Sequence, residues 1–131
     1  LALVNSGNVK DGLADLFRLD YENGNDVDVK RIIAWGYLVD CKPDDAERVY
    51  DWIVKSDKVA DTDWLNCGYA KFVLSKTAEA TQCFKRFADF NNAADACEVL
   101  VKEFANDWDT LAKNGVKEFE VKLILDVVAD R

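Results

Sequence analysis

The chemically reactive side chains of this chain are four cysteines, Cys41, Cys67, Cys83 and Cys97, and it contains no histidine. A cysteine nucleophile normally needs a nearby base such as an imidazole, so a Cys/His mechanism is excluded by composition, and a Ser/His/Asp triad falls with it. There is no Cys-x-x-Cys pair, and without histidine a Cys/His zinc set cannot be completed. Carboxylates are plentiful. "DDAE" at 44–47 and "DTD" at 61–63 can be posed as acid/base pairs, but both stand at the starts of expected helices, where acidic side chains offset the helix dipole. The run "DYENGNDVD" at 20–28 suggests calcium, yet an EF-hand loop needs Gly at its sixth position and Glu at its twelfth. Counted from Asp20 these are Asn25 and Arg31, so a lengthened turn accounts for the run better. The expectation is a non-enzyme with no cofactor and no metal.

The elements that hold these residues follow from composition and spacing. The chain has 131 residues, half of them apolar and about a third charged, with one proline and six glycines. That is the profile of one helical globular domain with a core large enough to need no staples. Its net charge of −8 repels phosphate backbones and anionic lipid, which disfavours nucleic acid and membrane surfaces as partners. No apolar run reaches the roughly 20 residues of a membrane-spanning helix. Free, buried thiols and a cytoplasmic location are expected, although the chain starts at Leu1 and an upstream segment carrying a signal is compatible with that.

An internal repeat organises the sequence. A shift of 34 residues places Ala46 over Ala80, Tyr50 over Phe84 and Ile53 over Phe87, and one further step back brings Gly12, Leu16 and Leu19 into the same lanes. Spacing of i, i+4, i+7 is one face of an α-helix, here led by a small residue where another helix can approach closely. A second set of lanes pairs Ile33 with Cys67, Ala34 with Gly68, Trp35 with Tyr69 and Leu38 with Phe72. Between the two faces lie breakers, "CKPDDAE" at 41–47 and "SKTAE" at 75–79. Pro43 is expected to open one helix and Thr77 to cap another through its hydroxyl. Each unit reads as helix, turn, helix, with pairs near 27–40 with 44–57 and 61–75 with 78–90. Cys67 and Cys83 then serve as small hydrophobes.

A 34-residue helical hairpin with these lanes resembles the tetratricopeptide repeat (TPR). Residues 61–94 carry the pattern as Trp64, Cys67, Gly68, Ala80, Phe84 and Phe87, and residues 27–60 as Ile33, Ala34, Tyr37, Ala46, Tyr50 and Ile53. Departures are Lys30 where Trp is expected, Lys71 where an aromatic is usual, and no proline at either repeat end. The resemblance implies an all-α superhelix of antiparallel hairpins: a partial repeat at 1–26, repeats at 27–60 and 61–94, and degenerate capping helices at 95–131. Leu1 falls in mid-helix, so the chain reads as the C-terminal part of a longer array. After Phe90 the register is lost, but "AADACEVLVKEFANDWDTLAK" keeps helical periodicity, Asn114-Gly115 suits a left-handed stop, and "VKEFEVKLILDVVAD" forms a last amphipathic helix.

The function implied by the resemblance is recognition of a protein or peptide partner in a concave groove. Its lining would include Arg31, Trp35, Leu38, Leu65, Asn66, Tyr69 and Phe72, with Asp28 and Thr62 beside them. Trp35 and Tyr69 would be aromatic anchors, and Arg31 would hold an acidic group on the ligand unless Asp28 neutralises it. One subclass clamps a terminal carboxylate; Arg31 and Asn66 fit that pattern, whereas Trp35, Ala96 and Leu100 do not. The alternative is an assembly module that packs in a larger complex or forms a homodimer through its exposed terminal repeat.

Overall fold

A computed structural model of the chain describes residues 26–91 and 95–129. Among these there are seven helices and no strand: α1 (Val27–Val39), α2 (Pro43–Val54), α3 (Asp61–Val73), α4 (Thr77–Phe90), α5 (Ala96–Asn106), α6 (Trp108–Lys113) and α7 (Glu118–Ala129). The described residues are all-α, as expected. The partial repeat with Gly12, Leu16 and Leu19 lies outside the described residues.

Local chemistry sets the helix ends. Asp26 caps α1, its carboxylate accepting from the Asp28 and Val29 N–H groups at 2.9 and 3.2 Å. Ala60 stands at the corresponding place before α3 and has no oxygen to offer, so Asp63 reaches back and accepts the Ala60 N–H at 2.8 Å. Pro43 opens α2. Thr77 does not cap α4: it is that helix's first residue, and Lys76 precedes it without a side-chain cap. The reason lies in the turn before it. Cys41 and Ser75 both adopt left-handed backbone, with φ of 56° and 63°. After α1, the Lys42 N–H donates to Tyr37 O and Cys41 N–H to Leu38 O; after α3, Lys76 N–H donates to Lys71 O and Ser75 N–H to Phe72 O. Each pair of bonds closes the helix end in a Schellman motif and returns the chain at once into the next helix. Every one of these partners is displaced by 34 residues from its counterpart, as are the starts and ends of α1 and α3.

Packing follows the lanes. α1 lies on α2, α2 on α3 and α3 on α4, with Ala46 and Ala80 fully buried where the helices meet. Gly68 is required by close approach, since a β-carbon there would stand 2.5 Å from Cε1 of Phe84. The departures at positions 30 and 71 have partners. Lys30 Nζ lies 4.9 Å from the centre of the Trp52 ring, and at the same positions 34 residues on, the Arg86 guanidinium lies 5.0 Å from the Trp64 ring. The cation and the aromatic have exchanged helices. Lys71 is buried and its ammonium lies 3.1 Å from Glu47 Oε2 and 3.0 Å from Asp51 Oδ1, with Lys76 also bound to Glu47 at 2.8 Å.

The C-terminal third folds back on this ladder. Register ends after Phe90: α5 starts at Ala96, capped by Asp95. Phe104 of α5 joins Tyr69, Phe72 and Phe84 in an aromatic cluster with ring centres 5.1–6.4 Å apart. The segment expected to run as one helix to Asn114 is broken at Asp107, whose backbone leaves the helical basin at φ −103°, ψ 11°. The break turns α6 toward α1, where Lys113 Nζ donates to Val39 O at 3.0 Å and the Asn114 amide to Leu38 O at 2.9 Å. Gly115, at φ 94°, supplies the expected left-handed stop. α7 then packs on α4 and α5 through Ile124 and Val128.

Candidate binding cleft

Arg31, on α1, is fully engaged within the protein. Its Nε and Nη2 grip both oxygens of Asp63 at 2.8–3.1 Å, Nη1 donates to Asp28 at 2.8 Å, and Nη2 also donates to the Lys58 carbonyl at 2.7 Å. Asp63 is 1% exposed, which makes this a tie between α1 and α3. The hydrogen bonds it donates to Asp63, helped by the Asp63 and Asp28 charges, push the guanidinium pKa up against the desolvation of burial. Leu38, Tyr69 and Phe72 are buried. They do not line an open groove: Phe104 of α5 packs on the rings of Tyr69 and Phe72, and Leu38 is part of the core on α1, the helix against which α6 lies. Tyr69 donates its hydroxyl to Asp107 Oδ2 at 2.7 Å.

Trp35, Leu65 and Asn66 do come together. They line a cleft of about 520 Å³ with Thr62 on one side, and on the other Glu103, Asn106, Asp107, Asp109 and Thr110. That volume is in the range of ligand clefts. The floor and wall are the Trp35 ring and Leu65; the rim is amide, hydroxyl and carboxylate. Among the described residues no lysine or arginine forms an ion pair with Glu103, Asp107 or Asp109. Burial raises the pKa of Glu103, and the Asp107 and Asp61 charges raise it further. Burial also raises that of Asp107, against the hydrogen bond from Tyr69 that lowers it. Two carboxylates thus share a partly desolvated site without a cation.

On α2, the Tyr50 hydroxyl is buried and makes no hydrogen bond. Burial pushes its phenol far up, and the Asp63 and Asp107 carboxylates push it further. A cation resting between Trp35 and the two carboxylates would meet a π face, negative charge and polar rim groups at once.

The acidic half of the cleft was missed by an apolar reading of the C-terminal segment. Its signal is nevertheless present in the sequence: Glu103, Asn106, Asp107 and Thr110 recur at i, i+3, i+4, i+7, the same spacing that marks apolar faces elsewhere, but in polar residues. Among the described residues no cluster of three or more Cys, Asp or Glu is placed to hold a metal ion, and no helix is long and apolar enough to cross a membrane. Comparison of the chain with protein-family models, with curated proteins and with solved structures returns no match.

Proposed function

We propose that this chain is a protein-binding scaffold of TPR-like helix hairpins, whose cleft between α1, α3 and the α5–α6 break receives a basic side chain of a partner peptide. The single observation that carries the reading is the cleft itself, lined by Trp35 and by the carboxylates Glu103 and Asp107, which form no ion pair with a lysine or arginine among the described residues. The 34-residue recurrence of helix bounds, left-handed turns and cation–π pairs supports the TPR-like hairpin. Arg31 serves as an internal tie rather than as a ligand contact. The partner's charge preference is therefore basic. Panning a random 12-residue peptide library against the full chain tests this. Enrichment of Lys or Arg, lost in a Trp35→Ala variant that melts near the parent temperature, supports the reading. Enrichment of acidic peptides, or binding that survives Glu103→Gln combined with Asp107→Asn, overturns it.

One observation favours the assembly reading. Phe119, Leu123 and Val127 recur every four residues along α7 and are 60, 60 and 49% exposed. Light scattering over a concentration series distinguishes the two: a constant monomer mass leaves the scaffold reading, and a salt-resistant dimer that Leu123→Glu dissociates establishes self-assembly.

A further inference from the structure

We propose that the cleft is a site for an unmodified lysine side chain of the partner, its ammonium held between Glu103 and Asp107. The inference deepens, and rests on, the reading of the cleft as a site for a basic side chain. It is carried by a second pair of the same kind elsewhere in the chain. "ERVYD" at 47–51 and "EFAND" at 103–107 both place Glu four residues before Asp. That spacing is one helical turn, so the two carboxylates of each pair are neighbours on one face. The first pair lies inside α2. The second spans the end of α5, where the Asp107 N–H still donates to the Glu103 carbonyl at 3.0 Å and keeps the turn helical.

The pair on α2 is occupied from within. Lys71 reaches it from α3, its Nζ 3.1 Å from Glu47 Oε2 and 3.0 Å from Asp51 Oδ1, one oxygen from each carboxylate. The pair at 103 and 107 offers the same two groups. Tyr69 takes Asp107 Oδ2 at 2.7 Å and leaves Oδ1, and neither residue forms an ion pair with a lysine or arginine among the described residues. Charge state follows occupancy. Burial acts to raise the Glu47 pKa, but the hydrogen bonds and charges of Lys76 and Lys71 outweigh it and hold that carboxyl below its ordinary value. Glu103, with burial and the Asp107 and Asp61 charges acting on it, stands above its own.

Shape selects the ammonium. It is a compact charge with three N–H donors, which two carboxylate oxygens one turn apart and one further acceptor satisfy. Asn66, Asn106 and Thr110 line the same cleft and carry that acceptor, while Trp35 and Leu65 supply apolar surface for the four-carbon stem. Acetylation removes the charge, and trimethylation removes every N–H donor, which a single indole ring does not replace. A guanidinium is a wider, planar fork. Arg31, which bridges two carboxylates in this chain, draws them from different helices, Asp28 of α1 and Asp63 of α3.

The test titrates the full chain, isotopically labelled, with the blocked peptide Gly-Ser-Lys-Ser-Gly and its arginine, acetyl-lysine and trimethyl-lysine counterparts, followed by NMR at the Trp35 indole N–H and the Asp107 amide. The lysine peptide should shift both signals and bind at least severalfold more tightly than the arginine and trimethyl-lysine peptides, with no shift from the acetylated one. Glu103→Gln, which keeps the size of the side chain, should weaken the lysine peptide severalfold while the rest of the spectrum stays that of the parent. Arginine or trimethyl-lysine bound as tightly as lysine overturns the lysine assignment and leaves the cleft a general site for basic side chains. Lysine binding unchanged in Glu103→Gln overturns the carboxylate pair as its seat. Absence of any shift with all three charged peptides overturns the basic-side-chain reading together with this one.

Discussion

Gly68 has no room for a single methyl group. With a β-carbon 2.5 Å from the edge of the Phe84 ring, Gly68→Ala must displace a ring that is itself enclosed by Tyr69, Phe72 and Phe104. The expected cost is about 1–3 kcal/mol, as for other overpacked cores, and urea denaturation measures it. Removal of the ring works in the opposite sense of volume: Phe84→Ala should cost about 3–5 kcal/mol. At the cleft, charge decides. Glu103 and Asp107 have folded pKa values raised above their ordinary 4.5 and 3.8. A raised carboxyl contributes stability below its unfolded pKa and loses it as pH rises through the folded value, so the ionised pair opposes folding at neutral pH. Asp107→Asn should therefore leave thermal stability within about 1 kcal/mol of the parent, since the amide oxygen still accepts from Tyr69, while basic-peptide binding falls. For the same reason, calorimetry at mildly acidic pH should find protons released when such a peptide binds, in an amount that changes with pH above the ordinary carboxylate range. No proton release would mean that these carboxylates do not meet the ligand's charge.

At the scale of elements, the two left-handed turns stand out because neither carries glycine. Cys41 and Ser75 hold positive φ at the place where glycine is usual, a conformation that costs a residue with a β-carbon roughly 1 kcal/mol. Ser75 is exposed, so Ser75→Gly should stabilise the chain by up to about 1 kcal/mol, read as a higher midpoint in urea; a lower midpoint would show that the hydroxyl contributes more than the strain. These elements were largely legible beforehand. Apolar residues at i, i+4, i+7 located α1 to α4 to within a few residues, and Asn114-Gly115 marked the end of α6. Thr77 misled because the turn after α3 returns the chain so directly that Lys76, not Thr77, takes the cap position of α4. Asp107 was illegible as a helix break because the cause is tertiary: its carboxylate is occupied by Tyr69, 38 residues away. Trp35 and Asn66 were legible as cleft residues, whereas Leu38, Tyr69 and Phe72 were not legible as core, since helix phase alone does not reveal which faces the C-terminal helices cover.

For the molecule as a whole, the C-terminal third acts as a lid sealed by aromatic packing and tied to α1 by Lys113 and Asn114. A chain ending at Asn91 would expose Tyr69, Phe72 and Phe84 together. Loss of one buried ring at Phe104 alone should cost about 3–5 kcal/mol, a large share of the ~5–15 kcal/mol that holds a domain folded. The shortened chain should accordingly keep its helical far-ultraviolet spectrum in part, bind a hydrophobic dye and melt without a sharp transition. A sharp, parent-like melt would mean that α1 to α4 stand alone. The exchanged cation–π pairs bear on how such a ladder tolerates sequence change. Lys30 over Trp52 and Trp64 under Arg86 are reversed solutions of one contact, and two substitutions separate one from the other. The two mutational routes between them are unequal. Lys30→Trp passes through two neighbouring aromatic rings, which attract, whereas Trp52→Lys passes through two ammonium groups, which repel. The aromatic route is the open path across that landscape, and the order of substitutions, as much as their identity, decides which sequences this fold can reach.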